Sequence, residues 1–499
     1  MVLVTGAGPV GLTMAMSLKR LGVDVRIIDR NAARTDKSKA LVIWPRTLEL
    51  LDIQGCAQAF VAAGMQGAGA RMLAGGREIV RVRFDTARSV FRYALLIPQS
   101  ETERVLEEEL AKLGVRVERQ VDLHSFAQDD HGVSVVLDGP NGRTENARVD
   151  WLMGCDGAHS AVRMGLGAQF EGNTLRSEWM LGDLRIDGPL PQDELTICWT
   201  EHGVLALFPM IGGRFRVIAD MGENVADAAP PPTIEELQAV IAQRGPAGLT
   251  AHDAVWLSRF RINERKVRDY RDGRVFLAGD AAHIHSPAGG QGMNTGMQDA
   301  FNLAWKLALV VHGHAKPELL DSYSPERSAI GEQVLRNAGR LTEIGITRNR
   351  LLQELRNVAV STLGQFAMVQ QRIVDQLTEV DLEYPDSPLT QSPRGTARHP
   401  AGGERAVDVA LLESDGGHAR LHELLATGRF AVLSVGAPRV ALPDALRALA
   451  TSATAAETDH YDSGHVYLIR PDAYVAMSTG ATDIGAILAA LAQVGATTQ

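Results

Sequence analysis

The first 29 residues restrict the fold more tightly than any other stretch. Residues 2–5 form an apolar run of strand length, and Gly6-Ala-Gly8-Pro9-Val-Gly11 follows. A helix is expected from about Leu12 to Leu21, closed by Gly22, and Val25 to Asp29 reads as the next strand. In such a unit the first glycine permits the tight turn. The second lets backbone approach a pyrophosphate, and the third lets helix and strand pack. The helix start offers free N–H groups and a partial positive charge to phosphates. Asp29 stands 18 residues beyond Gly11, where a carboxylate accepts hydrogen bonds from an adenosine ribose. The unit predicts a bound dinucleotide, with Arg30 in the same cofactor-binding set. By itself it does not separate FAD from NAD.

The remaining sequence narrows the class. A chain of 499 residues is long enough for about three domains. A net charge of −10 argues against sequence-independent nucleic-acid binding, which needs a basic footprint. Cys56, Cys155 and Cys198 are far apart and form no CxxC, so neither a disulfide framework nor a structural zinc site is expected. No signal-peptide pattern opens the chain, and no apolar run reaches the roughly 18 residues of a membrane span. A cytoplasmic protein is expected.

Further along, Ser100-Glu-Thr-Glu103 has the pattern of a capping box at the start of a second helix, which Gly114 closes. Val115 to Glu118 reads as a strand. From about 175 to 260 short strand candidates such as Val204–Phe208 and Phe215–Asp220 suggest an antiparallel, substrate-facing sheet. Residues 295–380 read as helical, the first helix being apolar nearly all round and therefore buried. Residues 384–405 carry four prolines and three glycines and read as a linker, followed by a third domain with strands at Phe430–Val435 and Val466–Ile469.

Two more stretches select FAD. Trp151-Leu-Met-Gly-Cys155-Asp156-Gly157-Ala-His-Ser160-Ala-Val-Arg163 runs from a strand through an Asp-Gly turn into a helix. Arg274-Val-Phe-Leu-Ala-Gly279-Asp280-Ala-Ala-His283 is a buried strand ending on an acid. It continues as Ile284-His285-Ser286-Pro287-Ala-Gly289-Gly290-Gln291-Gly292-Met293-Asn294. Asp280 is suited to accept a hydroxyl hydrogen bond from a flexible sugar-alcohol chain, and the glycines expose backbone N–H groups. The helix expected near Thr295 turns its positive end toward the negative charge of a reduced isoalloxazine.

On these three motifs the chain resembles the single-component FAD-dependent aromatic hydroxylases of the para-hydroxybenzoate hydroxylase class. Within that class it is most similar to the phenol-hydroxylase and aromatic-polyketide-hydroxylase branch. Leu319-Leu-Asp-Ser-Tyr323 with Glu326-Arg327, and Arg470-Pro-Asp472-x-Tyr474, are also typical of it. The resemblance implies an α/β architecture. A Rossmann-like FAD-binding domain (1–80 with 96–174 and 266–310) carries an inserted antiparallel β-sheet substrate domain (81–95 with 175–265). A helical segment (311–383), the linker and a C-terminal thioredoxin-like domain (406–499) follow. It also implies tightly bound FAD, transient NADPH or NADH, and O2. The reaction implied is hydroxylation of a phenolic or polycyclic aromatic substrate through a flavin C4a-hydroperoxide. A monomer or homodimer is expected.

The resemblance further implies that Asp156, Gly157 and Arg163 help position FAD and the nicotinamide. Gly279 and Asp280 would bind the ribityl chain, Pro287 would lie near the flavin edge, and Gly290, Gly292, Met293 and Asn294 would line the pyrimidine side. Arg46 and Gln99 match family positions that contact FAD. Lys39 departs from the usual arginine and keeps the charge without the planar fork. No catalytic base is nominated. Tyr93, Trp199, His202, Arg216 and Pro287 are candidates for the substrate pocket, with core or surface roles as the alternative. The basic run Arg259–Arg274 reads as a solvated surface or a phosphate-attracting one. His283 and His285 lack a third ligand, so no metal is expected. With no cysteine after Cys198, the last domain cannot run dithiol chemistry and reads as a packing or oligomerisation module. Alternatives on the same scaffold are Baeyer–Villiger or epoxidising chemistry, a flavin-dependent halogenase, for which the Trp-x-Trp motif is missing, and a flavin carrier without turnover.

Overall fold

The computed structural model describes all residues except 36–37, 224–229, 288, 347–349, 365, 392–398 and 496–499. The chain opens with β1 (Val2–Thr5), α1 (Pro9–Arg20) and β2 (Val25–Asp29), and β1 pairs in parallel with β2. Helix α1 begins three residues before the expected Leu12. Pro9 takes its first position, where a fixed φ and a missing N–H do no harm. Helices α2 (Pro45–Ile53) and α3 (Gln99–Lys112) follow. The capping box expected at Ser100 does not form. The Ser38 hydroxyl, from another segment, accepts the Gln99 N–H at 2.7 Å, so α3 starts at Gln99 and Ser100 falls inside its first turn.

β3 (Trp151–Gly154) flanks β1 on the side away from β2, again in parallel. The strand expected at 115–118 shrinks to Glu118–Arg119 at the sheet edge beside β2. The inserted sheet is built from β4 (Glu171–Asp187), β5 (Glu194–Thr200), β6 (Gly203–Met210), β7 (Arg214–Glu223) and, after α4 (Ile234–Arg244), β8 (Thr250–Lys266). It has eight strands, because β10 (His283–Ile284) joins one edge and Gly69–Ala74 and Arg77–Arg83 join the other. The boundary expected at residue 80 therefore falls inside a strand of this sheet. β9 (Val275–Leu277) pairs with β3 and completes the six-stranded Rossmann-like sheet together with Arg271–Asp272.

Helix α5 (Gly292–Val311) is buried from Asn294 to Leu309 and packs on α1, so the Gly6–Gly11 turn and the Gly279–Asn294 stretch share one core. Helices α6 (Tyr323–Ile346), α7 (Arg350–Leu363) and α8 (Ala367–Leu377) make up the helical segment. The expected linker lies partly outside the described residues. Its described ends are packed, with Tyr384, Ser387 and Arg405 buried. The last domain has a five-stranded mixed sheet centred on β11 (Phe430–Val435), with β12 (Ala450–Ala455), β13 (His465–Ile469), β14 (Val475–Gly480) and Glu413–Ser414 around it. It docks on α2, where Asp52 accepts from Arg420 at 2.6 Å and contacts His422 Nδ1 at 2.9 Å. Among the described residues no helix is long and apolar enough to cross a membrane.

Candidate active site

The first turn is shaped by close approach. A Cβ at Gly6 (φ +92°) would lie 2.4 Å from the Cys155 carbonyl oxygen, and one at Gly11 would lie 1.9 Å from that of Gly6. Gly8 differs: a Cβ there would meet nothing within 4 Å, so this glycine faces open space. Asp29 holds the turn from beneath. Its Oδ2 accepts the Ala7 N–H at 2.7 Å and its Oδ1 accepts the Asn31 N–H at 2.8 Å. Its remaining lone pairs are available to a ribose hydroxyl. Pro9 is buried, and Arg30, which follows Asp29 in the chain, is exposed.

The second and third motifs meet the first through parallel strands. β1, β3 and β9 lie side by side, so the turns that follow them emerge at one edge of the sheet. Asp156 Oδ2 accepts the N–H groups of Ala161 (2.7 Å) and Val162 (3.2 Å), while Oδ1 has no protein partner. Burial raises its pKa. Gly157 (φ +78°) makes the turn that follows. Arg163 donates to the Ala158 carbonyl at 2.8 Å and the Ala281 carbonyl at 3.1 Å, clamping the second turn to the third. Gly279 (φ +59°) lies where a Cβ would reach a Val10 methyl at 2.7 Å. Asp280 is open to solvent at the surface of the cleft, yet the chain encloses it deeply enough for burial to raise its pKa. The charges of His283 and Lys39 act in the opposite direction.

Exposure tests the other expected contacts, since a side chain that touches a cofactor needs surface open to it in the protein alone. Lys39 and Pro287 are exposed, and Gly290, Gly292 and Met293 are partly open. Gln99 is half-buried, accepting from Ala40 N–H and donating to Glu103 at 2.9 Å. Two of the expected contact residues have no open surface. Arg46 is 0% exposed and points at the C-terminal domain, donating to the Asp472 carbonyl at 2.6 Å and lying 4.6 Å from the Tyr474 ring. Asn294 is also 0% exposed. Its amide accepts from Trp44 N–H and donates to the Val42 and Gly290 carbonyls, so it builds the wall without lining it.

His285 went unrecognised in the sequence as a site residue. Its Nδ1 lies 3.0 Å from the Ser286 carbonyl oxygen, which fixes the proton there, and its Nε2 has no protein partner. A Cβ at Gly292 would sit 3.5 Å from that Nε2, which places the ring edge against the first turn of α5. Burial and the neighbouring His283 push its pKa down to about 4, so it is a neutral acceptor. Only the alternation of His283 and His285 hinted at the stack these rings form.

The inserted sheet supplies the other wall. Phe215, Val217 and Ala219 of β7, Leu205 and Leu207 of β6, and Leu257 of β8 pack with α4. Their alternates point to the opposite face. One cross-strand row there is Trp256–Asp183–Arg216–Phe208, and a second is Ser258–Leu181–Ile218–Ala206–Ile197. Phe208, Ile218, Ala206, Ile197, Trp256 and Phe260 are only partly buried on this face. Arg216, a pocket candidate, is buried in a two-pronged pair with Asp183 (2.8 Å each) and donates to the Lys39 carbonyl at 3.0 Å, tying the sheet to the cofactor loop. Trp199 lies under Arg356 at 4.3 Å, and Tyr93 is half-buried beside Phe91. His202 is exposed on the β5–β6 turn, away from these rows. The basic run is largely spent on structure, with Arg259 paired to Glu178 and Glu236 and Arg274 bonded to the Asp130 carbonyl.

Residues 1–338 match the FAD binding domain family, and residues 399–496 match the aromatic-ring hydroxylase C-terminal family. The chain is 36% identical to the 6-methylpretetramide 4-monooxygenase of Streptomyces rimosus, covering 98% of this chain and 93% of that protein. It is 35% identical to the rifampicin monooxygenase of Streptomyces venezuelae over 86% of each. Among solved structures it resembles the anhydrotetracycline hydroxylase OxyS from Streptomyces rimosus, with a TM-score of 0.80 and 30% identity over 100% of this chain and 99% of that one.

Proposed function

The chain belongs to the FAD-dependent aromatic-ring hydroxylases, and from that premise we propose that it is a monooxygenase hydroxylating a multi-ring phenolic substrate with NAD(P)H and O2. The observation that carries the substrate class is the partly open face of the inserted sheet. The row from Ser258 to Ile197 crosses five strands. At 4.7–4.9 Å per strand it is about 19 Å long, enough for several fused rings, where a single phenol would leave most of it wet.

The residues at the three turns fit FAD. Gly8 leaves space for a pyrophosphate, Asp29 awaits a ribose, and Asp156 Oδ1 and His285 Nε2 are polar atoms without protein partners. When bound, FAD supplies the redox chemistry, taking electrons from NAD(P)H and activating O2. The chain's own residues do the rest. Asp280 would accept from the ribityl hydroxyls, with the charge of Lys39 acting on it. The free N–H groups at the start of α5 would offer the positive end of the helix to the pyrimidine edge. Phe208, Trp256 and Phe260 orient the aromatic substrate and exclude water from it. The relatives' names support hydroxylation over halogenation or Baeyer–Villiger chemistry.

The test is a screen over phenols of graded ring number. A yellow protein should consume NAD(P)H faster with three- and four-ring phenols than with one-ring phenols, giving products one oxygen heavier. Preference for a one-ring phenol would overturn the substrate class, and a protein that takes up no FAD would overturn the whole reading.

A further inference from the structure

Two buried ionic clusters, joined by the adjacent residues Glu326 and Arg327 and by the Tyr384 ring between Arg327 and Arg470, lead from the C-terminal domain to the Gly279–Asp280 turn. Asp299, on α5, is the end nearest that turn. Its Oδ2 accepts the Gly279 N–H at 2.9 Å and contacts His283 Nε2 at 2.7 Å, and its Oδ1 accepts from Arg327 Nε at 2.6 Å. Arg327 also donates to the Tyr384 hydroxyl at 2.8 Å and to the Thr295 carbonyl at 3.0 Å. Its chain neighbour Glu326 receives both prongs of Arg470 at 2.8 and 2.9 Å, and Lys306 at 2.7 Å. Arg470 in turn holds Asp472 and lies 5.0 Å over the Tyr384 ring. Asp299, Glu326, Arg327 and Lys306 have no exposed side-chain surface, and Arg470 has 1%.

Such a network is expensive to bury and useful only when every member is satisfied. Apolar packing already attaches the last domain, with the Trp305 ring of α5 against that of Phe430 at 5.4 Å, so the buried charges do more than attach it. Here two residues of the last domain, Arg470 and Asp472, reach across to α6 and α5, and Arg46 of α2 joins them at the Asp472 carbonyl. The neighbours Glu326 and Arg327 each bind one side of this path. One is gripped by Arg470, and the other grips the aspartate that fixes the Gly279 N–H.

We propose that the C-terminal domain is part of the cofactor-binding machinery. Arg470, Glu326, Arg327 and Asp299 act as positioning residues that lock the turn presenting Asp280. This rests on the reading that FAD sits on that turn. The domain lacks cysteines after Cys198, and its contribution is mechanical.

The experiment measures FAD release from the purified holoenzyme by flavin fluorescence on dilution. Five variants are compared with wild type: Asp299→Asn, the charge-balanced pair Arg470→Gln with Glu326→Gln, the combination of these two, Arg470→Lys, and the control Val432→Ala. Val432 belongs to the apolar cluster that the last domain shares with Trp305 and Leu309 of α5, and it takes no part in the ionic network. The first two are expected to weaken FAD binding by roughly tenfold or more. Their combination should weaken it little beyond the stronger of the two, because they break one path. The control should lower Tm and leave FAD affinity within about twofold. Arg470→Lys keeps the charge without the fork, and folds more readily; it should give an intermediate loss. A folded Arg470 variant with wild-type FAD affinity, or effects that multiply independently, would overturn the relay while leaving FAD binding intact. A wild-type protein without FAD would overturn the reading beneath it.

Discussion

Glu379 offers a sharp test of how α5 is held. It is fully buried at the end of α8, with Oε2 accepting from the Gln298 amide at 2.6 Å. Its Oε1 and the Oε1 of Gln298 are both buried without a partner. A carboxylate there would face an acceptor it cannot satisfy, whereas a protonated carboxyl has an O–H to give. Burial accordingly raises its pKa from 4.5 to about 8. The folded state therefore holds a proton that the unfolded chain releases as pH rises past 4.5. The associated stability is complete below pH 4.5 and is lost progressively up to about pH 8. At about 1.4 kcal/mol per decade, the full loss is roughly 5 kcal/mol, with roughly 3 kcal/mol gone by pH 7. Glu379→Gln keeps the shape and an N–H donor without an ionisable group. Urea unfolding of wild type and variant between pH 5 and 9 should show the variant gaining on wild type as pH rises, and levelling near pH 8. Parallel stability curves across that range would refute a buried protonated carboxyl.

Three further outcomes are expected. Asp280→Ala should weaken FAD binding by roughly 1–3 kcal/mol, read by fluorescence titration, since a charge-assisted hydrogen bond is lost. Gly8→Ala should leave Tm unchanged and impair FAD uptake, because its Cβ enters open space, whereas Gly11→Ala should lower Tm outright, its Cβ meeting the Gly6 carbonyl at 1.9 Å. Phe260→Ala should raise KM for a multi-ring phenol by roughly tenfold while FAD affinity stays at the wild-type value, as an aromatic contact worth roughly 1–1.5 kcal/mol disappears from the sheet face; equal losses for one-ring phenols would contradict a broad apolar floor.

What the sequence disclosed depended on how far apart the interacting residues lie along it. The Gly6–Gly11 turn, the Asp156–Gly157 turn and the Gly279–Asn294 stretch each assemble a piece of the site from consecutive residues, so their spacing carries the geometry. The inserted sheet was visible only in fragments. β4 runs for 17 residues, but register shifts between Thr174 and Glu178 and between Asp183 and Arg185 break the alternation that marks a strand. The start of α3 was misplaced for a related reason: its first N–H is met by Ser38, 61 residues away.

The same distance effect governs Arg46. Its neighbours Pro45 and Thr47 fit a flavin-contacting helix, but the partner that decides its direction is Asp472, 426 residues on. A fully buried guanidinium needs acceptors, and those it has are the Asp472 carbonyl of the C-terminal domain and the Glu49 carboxylate. The arginine that the motif promised to the cofactor is thereby committed to the last domain. Lys39 is the cation left facing Asp280, with its backbone fixed by Arg216. The Lys39 loop, the inserted sheet and the C-terminal domain are thus joined by charged residues as well as by apolar packing such as that of Trp305 on Phe430. If that is why these charges are buried, replacing Arg216 with glutamine should free the Lys39 loop. The variant should lose FAD affinity and substrate coupling together, although Arg216 itself lies beneath the sheet surface. A variant that lost substrate affinity alone would show that the sheet and the cofactor loop are independent.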